Sequence, residues 1–342
     1  MTEPGVDLHR RDSLPEGFLH VTAGELHRLL PGPSLIHLAG RTGRPLFVVI
    51  LQHGNEDSGL RAVQRLLAEY HGHTLPRPLS LFVANVAAAR AGVRRLDGQP
   101  DYNRCWPGTE LPASPETALM AAVLDELRPR QPVAALDLHN TTGHNPLHAA
   151  VNVLDPDCLQ LARGFAGTVV HFTRPRGALP AAFAGLCPAA ILECGRIGQA
   201  DGIDRAHALL RSCLHRDPCR APATAEPLEL FASVAVVQVP AGIRFGFGDP
   251  PEVELALEPE LDQWNFRELP AGTALGRVRG EFWPLRALAP DGREITPELF
   301  ELQGGVLRLR HALMPSLLTR DPHVIRQDCL CHLLQRIDPP PA

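Results

Sequence analysis

The sequence contains no lysine, so all 33 of its basic side chains are arginine. That absence excludes a lysine nucleophile or Schiff base. Aromatic residues make up only 5%. No apolar run approaches the roughly 20 residues that a membrane helix needs, and the charged, polar stretch from Met1 to Leu14 lacks the apolar core of a signal peptide. Neither a G-x-x-x-x-G-K-[ST] loop nor a G-x-G-x-x-G loop after a strand is present, and Gly242-Ile-Arg-Phe-Gly-Phe-Gly248 has the wrong spacing for either. A nucleotide-binding α/β protein is therefore not expected. The eight cysteines form no C-x-x-C pair and fit a reducing compartment better than a disulfide framework. A net charge of −5 leaves no overall basic footprint for nucleic acid. These absences predict a cytoplasmic chain with neither membrane nor nucleic-acid partners; a homo-oligomer is left open.

Hydrophobic residues make up 44% of the 342, enough for a sizeable core, and the length suggests two domains. Residues 46–51, Leu-Phe-Val-Val-Ile-Leu, read as a strand buried on both faces. Further strands are expected over 79–85, 133–139, 168–172 and 189–193. Helices are expected over 60–70, 157–165 and 201–214, and over 115–127 behind an N-cap at Ser114. Strands alternating with helices predict an α/β layer with a mainly parallel sheet. Residues 1–45 read as irregular with short pieces of structure. A Pro/Ala-rich linker is expected over 221–227. Beyond it, β-branched runs such as 234–239 and 253–257 alternate with Gly and Pro turns. The expected organisation is a catalytic α/β domain over 1–220 and a small, mostly-β domain over 225–342.

Catalytic zinc sites use three protein ligands and keep one position open, and two histidines with one carboxylate form a known set. His53 and Glu56 make an H-x-x-E pair just after the 46–51 strand, and His139 ends the 133–139 strand. Alone, the pair serves equally well as a solvated loop histidine and a helix N-terminal carboxylate. The third donor turns it into a metal site, and all three fall at carboxyl ends of strands, where open α/β sheets bind ligands. Asp137 is two residues before His139, on the same side by strand alternation, and its pairing is open. Asn103 and Arg104, in Asp101-Tyr-Asn-Arg104, could bind a carboxylate through a guanidinium fork and an adjacent amide; a surface turn is the plainer alternative. Arg94 and Arg95 would add positive charge. Glu193 ends the 189–193 strand, where burial would raise its pKa and suit it as a general base. Pairing with Arg196 is the alternative. His144 and His148 could line the site but are left out of the metal set.

In this order, His53-Gly-Asn-Glu56, Asp101-Tyr-Asn-Arg104, Asp137-Leu-His139 and Leu192-Glu193 resemble the succinylglutamate desuccinylase/aspartoacylase family of zinc carboxypeptidase-like hydrolases. Residues 265–273, Asn-Phe-Arg-Glu-Leu-Pro-Ala-Gly-Thr, look like part of the β domain of such desuccinylases. The resemblance implies one zinc ion per chain on His53, Glu56 and His139, with Glu193 as base and proton shuttle. It implies that Asn103, Arg104 and, across a small spacing difference, Arg95 bind the substrate's carboxylate. The implied reaction is hydrolysis of an N-acyl amino acid. Two departures leave the acyl group and the amino acid open: residues 140–145 hold no arginine, and no Pro-Phe-Gly follows Glu193. A metallo-carboxypeptidase acting on short peptides and a non-catalytic zinc-binding protein are the competing readings.

Overall fold

The computed structural model describes residues 6–220 and 222–339. Its strands in chain order are β1 His9–Arg11, β2 Ser34–Leu38, β3 Leu46–Ile50, β4 Leu79–Val83, β5 Ala134–His139, β6 His148–Val151, β7 Thr168–His171, β8 Ala189–Glu193 and β9 Glu229–Gln238. They continue with β10 Phe245–Phe247, β11 Leu255–Leu257, β12 Ala274–Val278, β13 Arg286–Leu288, β14 Phe300–Gln303, β15 Val306–Leu309, β16 Met314–Ser316 and β17 Cys331–Arg336. The helices are α1 Ser58–Ala68, α2 Val86–Ala91, α3 Pro115–Leu127, α4 Pro156–Arg163, α5 Leu179–Phe183, α6 Ala200–His215, α7 Thr296–Leu299 and α8 Pro322–Gln327.

Twelve strands form one mixed sheet, ordered β1-β2-β4-β3-β5-β8-β6-β7-β9-β17-β16, with β13 also on β9. Its centre, β4-β3-β5-β8, is parallel. Every residue of β3, β4 and β5 is buried, as continuous apolar runs covered on both faces require. On one face Phe47 stacks on Phe183 with centroids 5.1 Å apart, and Trp106 meets both rings edge-on. On the other, the α1 stripe of Leu60, Val63, Leu66 and Leu67 packs into the largest core cluster. Ser114 and Thr117 close a capping box at the start of α3.

The β-rich character expected beyond residue 225 is present, divided between two sheets. Strands β10, β11, β12, β15 and β14 form a separate five-stranded sheet, while β9, β13, β16 and β17 extend the large one. The segment before β9 is tied back to the first part of the chain: Thr224 N donates to Arg163 O at 2.9 Å, and Arg205 holds Glu226 at 2.6 Å. Residue 221 of the expected linker lies outside the described residues. Among the described residues no helix is long and apolar enough to cross a membrane.

Two local features turn the end of β3 into a site. Leu51 adopts φ +57°, a left-handed conformation uncommon for a non-glycine residue, and swings the chain off the strand toward His53. Gly54 then lies against α2, where a Cβ would fall 2.1 Å from Ala89 N. Gly54→Ala is expected to cost about 1–3 kcal/mol of stability, the usual range for overpacking, and to weaken metal binding by displacing His53. Urea unfolding and metal quantification check both.

Candidate metal centre

Parallel pairing aligns strands so that their carboxyl ends open on one edge. There β3 leads into His53 and Glu56, β5 ends in His139, and β8 ends in Glu193, the register partner of His139. His53, Glu56 and His139 are all buried, and one potential ligand atom from each lies within 4.8 Å of the others. His53 Nδ1 lies 2.8 Å from Glu56 Oε1 and His139 Nδ1 lies 2.9 Å from Glu56 Oε2. The two Nδ1 atoms are 3.2 Å apart. Zinc–nitrogen bonds of about 2.0–2.1 Å at tetrahedral angles separate two ligand nitrogens by about 3.3 Å. The donor set and its spacing therefore fit a divalent ion.

The surroundings hold these donors in place. His53 Nε2 faces Asp101 Oδ1 at 3.0 Å, which leaves Nδ1 directed at the centre. His139 Nε2 lies 2.9 Å from Asp137 Oδ2 as an ion-pair contact without hydrogen-bond alignment. The side chains of Asp137 and His139 thus lie together, as strand alternation allows. Asp137 is gripped in turn by Gln52, whose Oε1 accepts from Trp106 Nε1 at 2.8 Å. Carboxylates behind imidazole ligands fix ring orientation and raise ligand basicity. Asn140 N donates to Glu56 Oε2 at 3.0 Å.

The electrostatics favour positive charge at the centre. In the metal-free chain burial opposes protonation of His139, yet Asp137 and Glu56 push its pKa well up. Burial and Arg94 oppose protonation of His53, and Glu56 with Asp101 raises it. Burial likewise opposes ionisation of Glu56, but His53 and His139 hold it far below the usual carboxylate range. A field that attracts protons onto two buried imidazoles attracts a divalent cation in their place. Glu193 is different. Burial pushes its carboxyl up to about 7, with Glu56 adding to the rise and His139 working against it.

These residues line a cavity of about 930 Å³, part of it open to solvent. Asn103 and Arg104 also line it, and Asn103 Oδ1 is buried with no hydrogen-bond partner. Arg94, rather than Arg95, reaches the cavity; Arg95 donates to the carbonyls of Gln99 and Gln327 instead. Arg196 is exposed and contacts His144 at 3.2 Å, so it does not neutralise Glu193. His148 lines the cavity and His144 does not. Sequence reasoning missed Asp328 and His332, which enter from the far end of the chain. No motif marks either of them.

Residues 43–182 match the family model described as the succinylglutamate desuccinylase/aspartoacylase catalytic domain. The matched segment holds every candidate ligand but not Glu193. No curated protein matches by sequence. Among solved structures, the chain is similar to the succinylglutamate desuccinylase of Chromobacterium violaceum at 19% identity and TM-score 0.57, covering 88% of this chain and 87% of that one. It is similar to murine aminoacylase 3 at 17% identity and TM-score 0.56, covering 86% and 97%. The product-bound ectoine utilization protein of Ruegeria pomeroyi matches at 15% identity and TM-score 0.53, covering 89% and 88%. At these identities the structures establish the shared fold, a mixed α/β sheet with a smaller second sheet.

Because ligands must be deprotonated to bind metal, metal content is expected to fall as pH is lowered, and His139→Ala to lose the ion at pH 7; elemental analysis reads both. A raised carboxyl pKa favours the folded state below the unfolded value of about 4.3, and that contribution is lost as pH rises through about 7. Metal-free Glu193→Gln is therefore expected to melt above the metal-free parent at pH 8 and level with it at pH 4.

Proposed function

We propose that this protein is a zinc-dependent hydrolase that cleaves the amide bond of an N-acyl amino acid. The observation that carries the reading is the convergence, in one cavity, of three buried donor atoms, the high-pKa carboxylate of Glu193 and the pair Asn103–Arg104. The family match over 43–182 supports a deacylase-type hydrolase. His53, Glu56 and His139 would hold one zinc ion. When bound, zinc supplies Lewis-acid polarisation of a carbonyl and lowers the pKa of water.

The chain's own groups do the rest. Glu193, in its ionised form, takes a proton from the attacking water as its oxygen bonds to the amide carbon. It then returns that proton to the leaving nitrogen as the C–N bond breaks, giving a carboxylic acid and a free amino acid. One group must be base and then acid, and a carboxyl raised by burial above the ordinary carboxylate range suits both steps. Asn103 and Arg104 orient the substrate through a carboxylate, and the unpaired Asn103 Oδ1 offers an acceptor to a substrate N–H. Arg94 takes the place at the cavity that the resemblance implied for Arg95. Its guanidinium lies 3.3 Å from Glu56 Oε1, next to the centre. There it would stabilise the oxygen on which negative charge develops.

Glu193→Gln is expected to retain full metal content while losing about 10²–10⁴-fold in kcat, the usual range for a general acid–base group. The assay is hydrolysis of N-acyl amino acids, with short peptides alongside. Full activity in that variant would remove the base from the mechanism, and turnover of the peptides alone would move the reading to a carboxypeptidase.

A further inference from the structure

Asp328 stands between the two arginines of the cavity. Its Oδ1 accepts from Arg104 Nη2 at 2.7 Å and its Oδ2 from Arg94 Nη2 at 2.9 Å. Arg94 also donates to Asp101 at 3.1 Å and to Glu56 at 3.3 Å. Arg104 Nη1 goes to the Asn103 carbonyl at 2.9 Å. Two guanidinium charges therefore face three carboxylates, Asp101, Asp328 and Glu56. Burial opposes the charge on Asp328, but Arg104 and Arg94 hold its carboxyl below the usual range.

Apart from the metal centre, the cavity has no further cation among the described residues. His148 and His332 line it, and burial pushes each down to about 4, so both are neutral imidazoles at pH 7. Ala150, Val170, Phe172 and Ile191 add an apolar wall. Nor does Asp328 hang on a loose arm. Its N–H donates to Val324 O at 3.0 Å as α8 ends, and Leu330 N donates to Val237 O at 2.7 Å. Strand β17, which starts at Cys331, is then paired with β9 of the large sheet. The backbone that carries the carboxylate is thus tied to the sheet two residues further on.

We propose that Asp328 is a specificity-determining residue: as a built-in carboxylate it neutralises the arginine pair and turns the cavity toward N-acyl amino acids whose acyl group and side chain are uncharged. The inference rests on the hydrolase reading above. Arg104 retains N–H groups beyond the two it uses, enough to anchor one substrate carboxylate. Outside the metal centre, a second negative charge finds no unpaired cation and meets Asp328 instead. Substrates with two or three carboxylates are disfavoured.

The test compares two probes of equal carbon number, butyrate with one carboxylate and succinate with two, titrated calorimetrically into the zinc-loaded protein. The parent protein is expected to bind succinate no more tightly than butyrate. Asp328→Asn should shift the ratio at least tenfold toward succinate, and adding Arg104→Gln should abolish the shift. Asp328→Ser gives the same reading should the asparagine variant fail to fold. An unchanged ratio in a folded variant, or a parent that prefers succinate, overturns the proposal. A parallel activity panel should rank N-acetylleucine above N-succinylglutamate in kcat/KM, and the opposite order also overturns it. Absence of turnover on every amide would count against the hydrolase reading alone, because the binding ratio is read without catalysis.

Discussion

The architecture of the site depends on keeping two imidazoles and a carboxylate buried within hydrogen-bonding distance of one another. Unpaired, such a group of polar atoms is expensive to hold away from water. Here each member has a second partner behind it. His53 leans on Asp101, His139 faces Asp137, and Glu56 takes the Asn140 N–H and an Arg94 contact. The excess of carboxylate around the two rings makes the centre a place for positive charge. A divalent ion satisfies it better than protons do, because an ion can use all three inward-facing donors at once.

Everything further out serves that convergence. The parallel centre of the sheet brings the ends of β3, β5 and β8 to one edge, and register sets His139 beside Glu193. The left-handed turn at Leu51 and the close approach of Gly54 to α2 aim the H-x-x-E segment back over the sheet. Arg94 then links the metal-facing carboxylate Glu56 to Asp101 and Asp328. Charge at the centre and charge in the substrate cavity are coupled through one guanidinium. The same arginine that steadies the ligands therefore limits what the cavity can recognise.

Much of this was legible in the sequence, and the exceptions have physical causes. Long apolar runs declare buried strands, so the central strands were legible to within two residues and β8 at both ends. The candidate ligands sit at or just past the ends of those runs, which is why His53, Glu56 and His139 could be picked out. Arg94 and Arg95 are adjacent in an irregular segment, where no periodicity says which one turns inward; the resemblance pointed to Arg95 across a small spacing difference, and the fold turns Arg94 to the cavity. Asp328 reaches Arg104 across 224 residues. That contact exists only because β17 returns to pair with β9, and strand exchange between two sheets leaves no local signal. The same return divides the β-rich C-terminal region, whose runs read simply as strands without saying which sheet each joins.

Binding of one metal ion by His53, Glu56 and His139 together underlies both the chemistry and the selectivity proposed for the cavity. It is tested most directly by anomalous diffraction at the zinc edge from crystals of zinc-loaded protein. A single strong peak is expected about 2.0–2.2 Å from one nitrogen of each histidine and from a Glu56 oxygen. A zinc-loaded crystal with no peak among these three side chains, or with its ion held elsewhere, would contradict it.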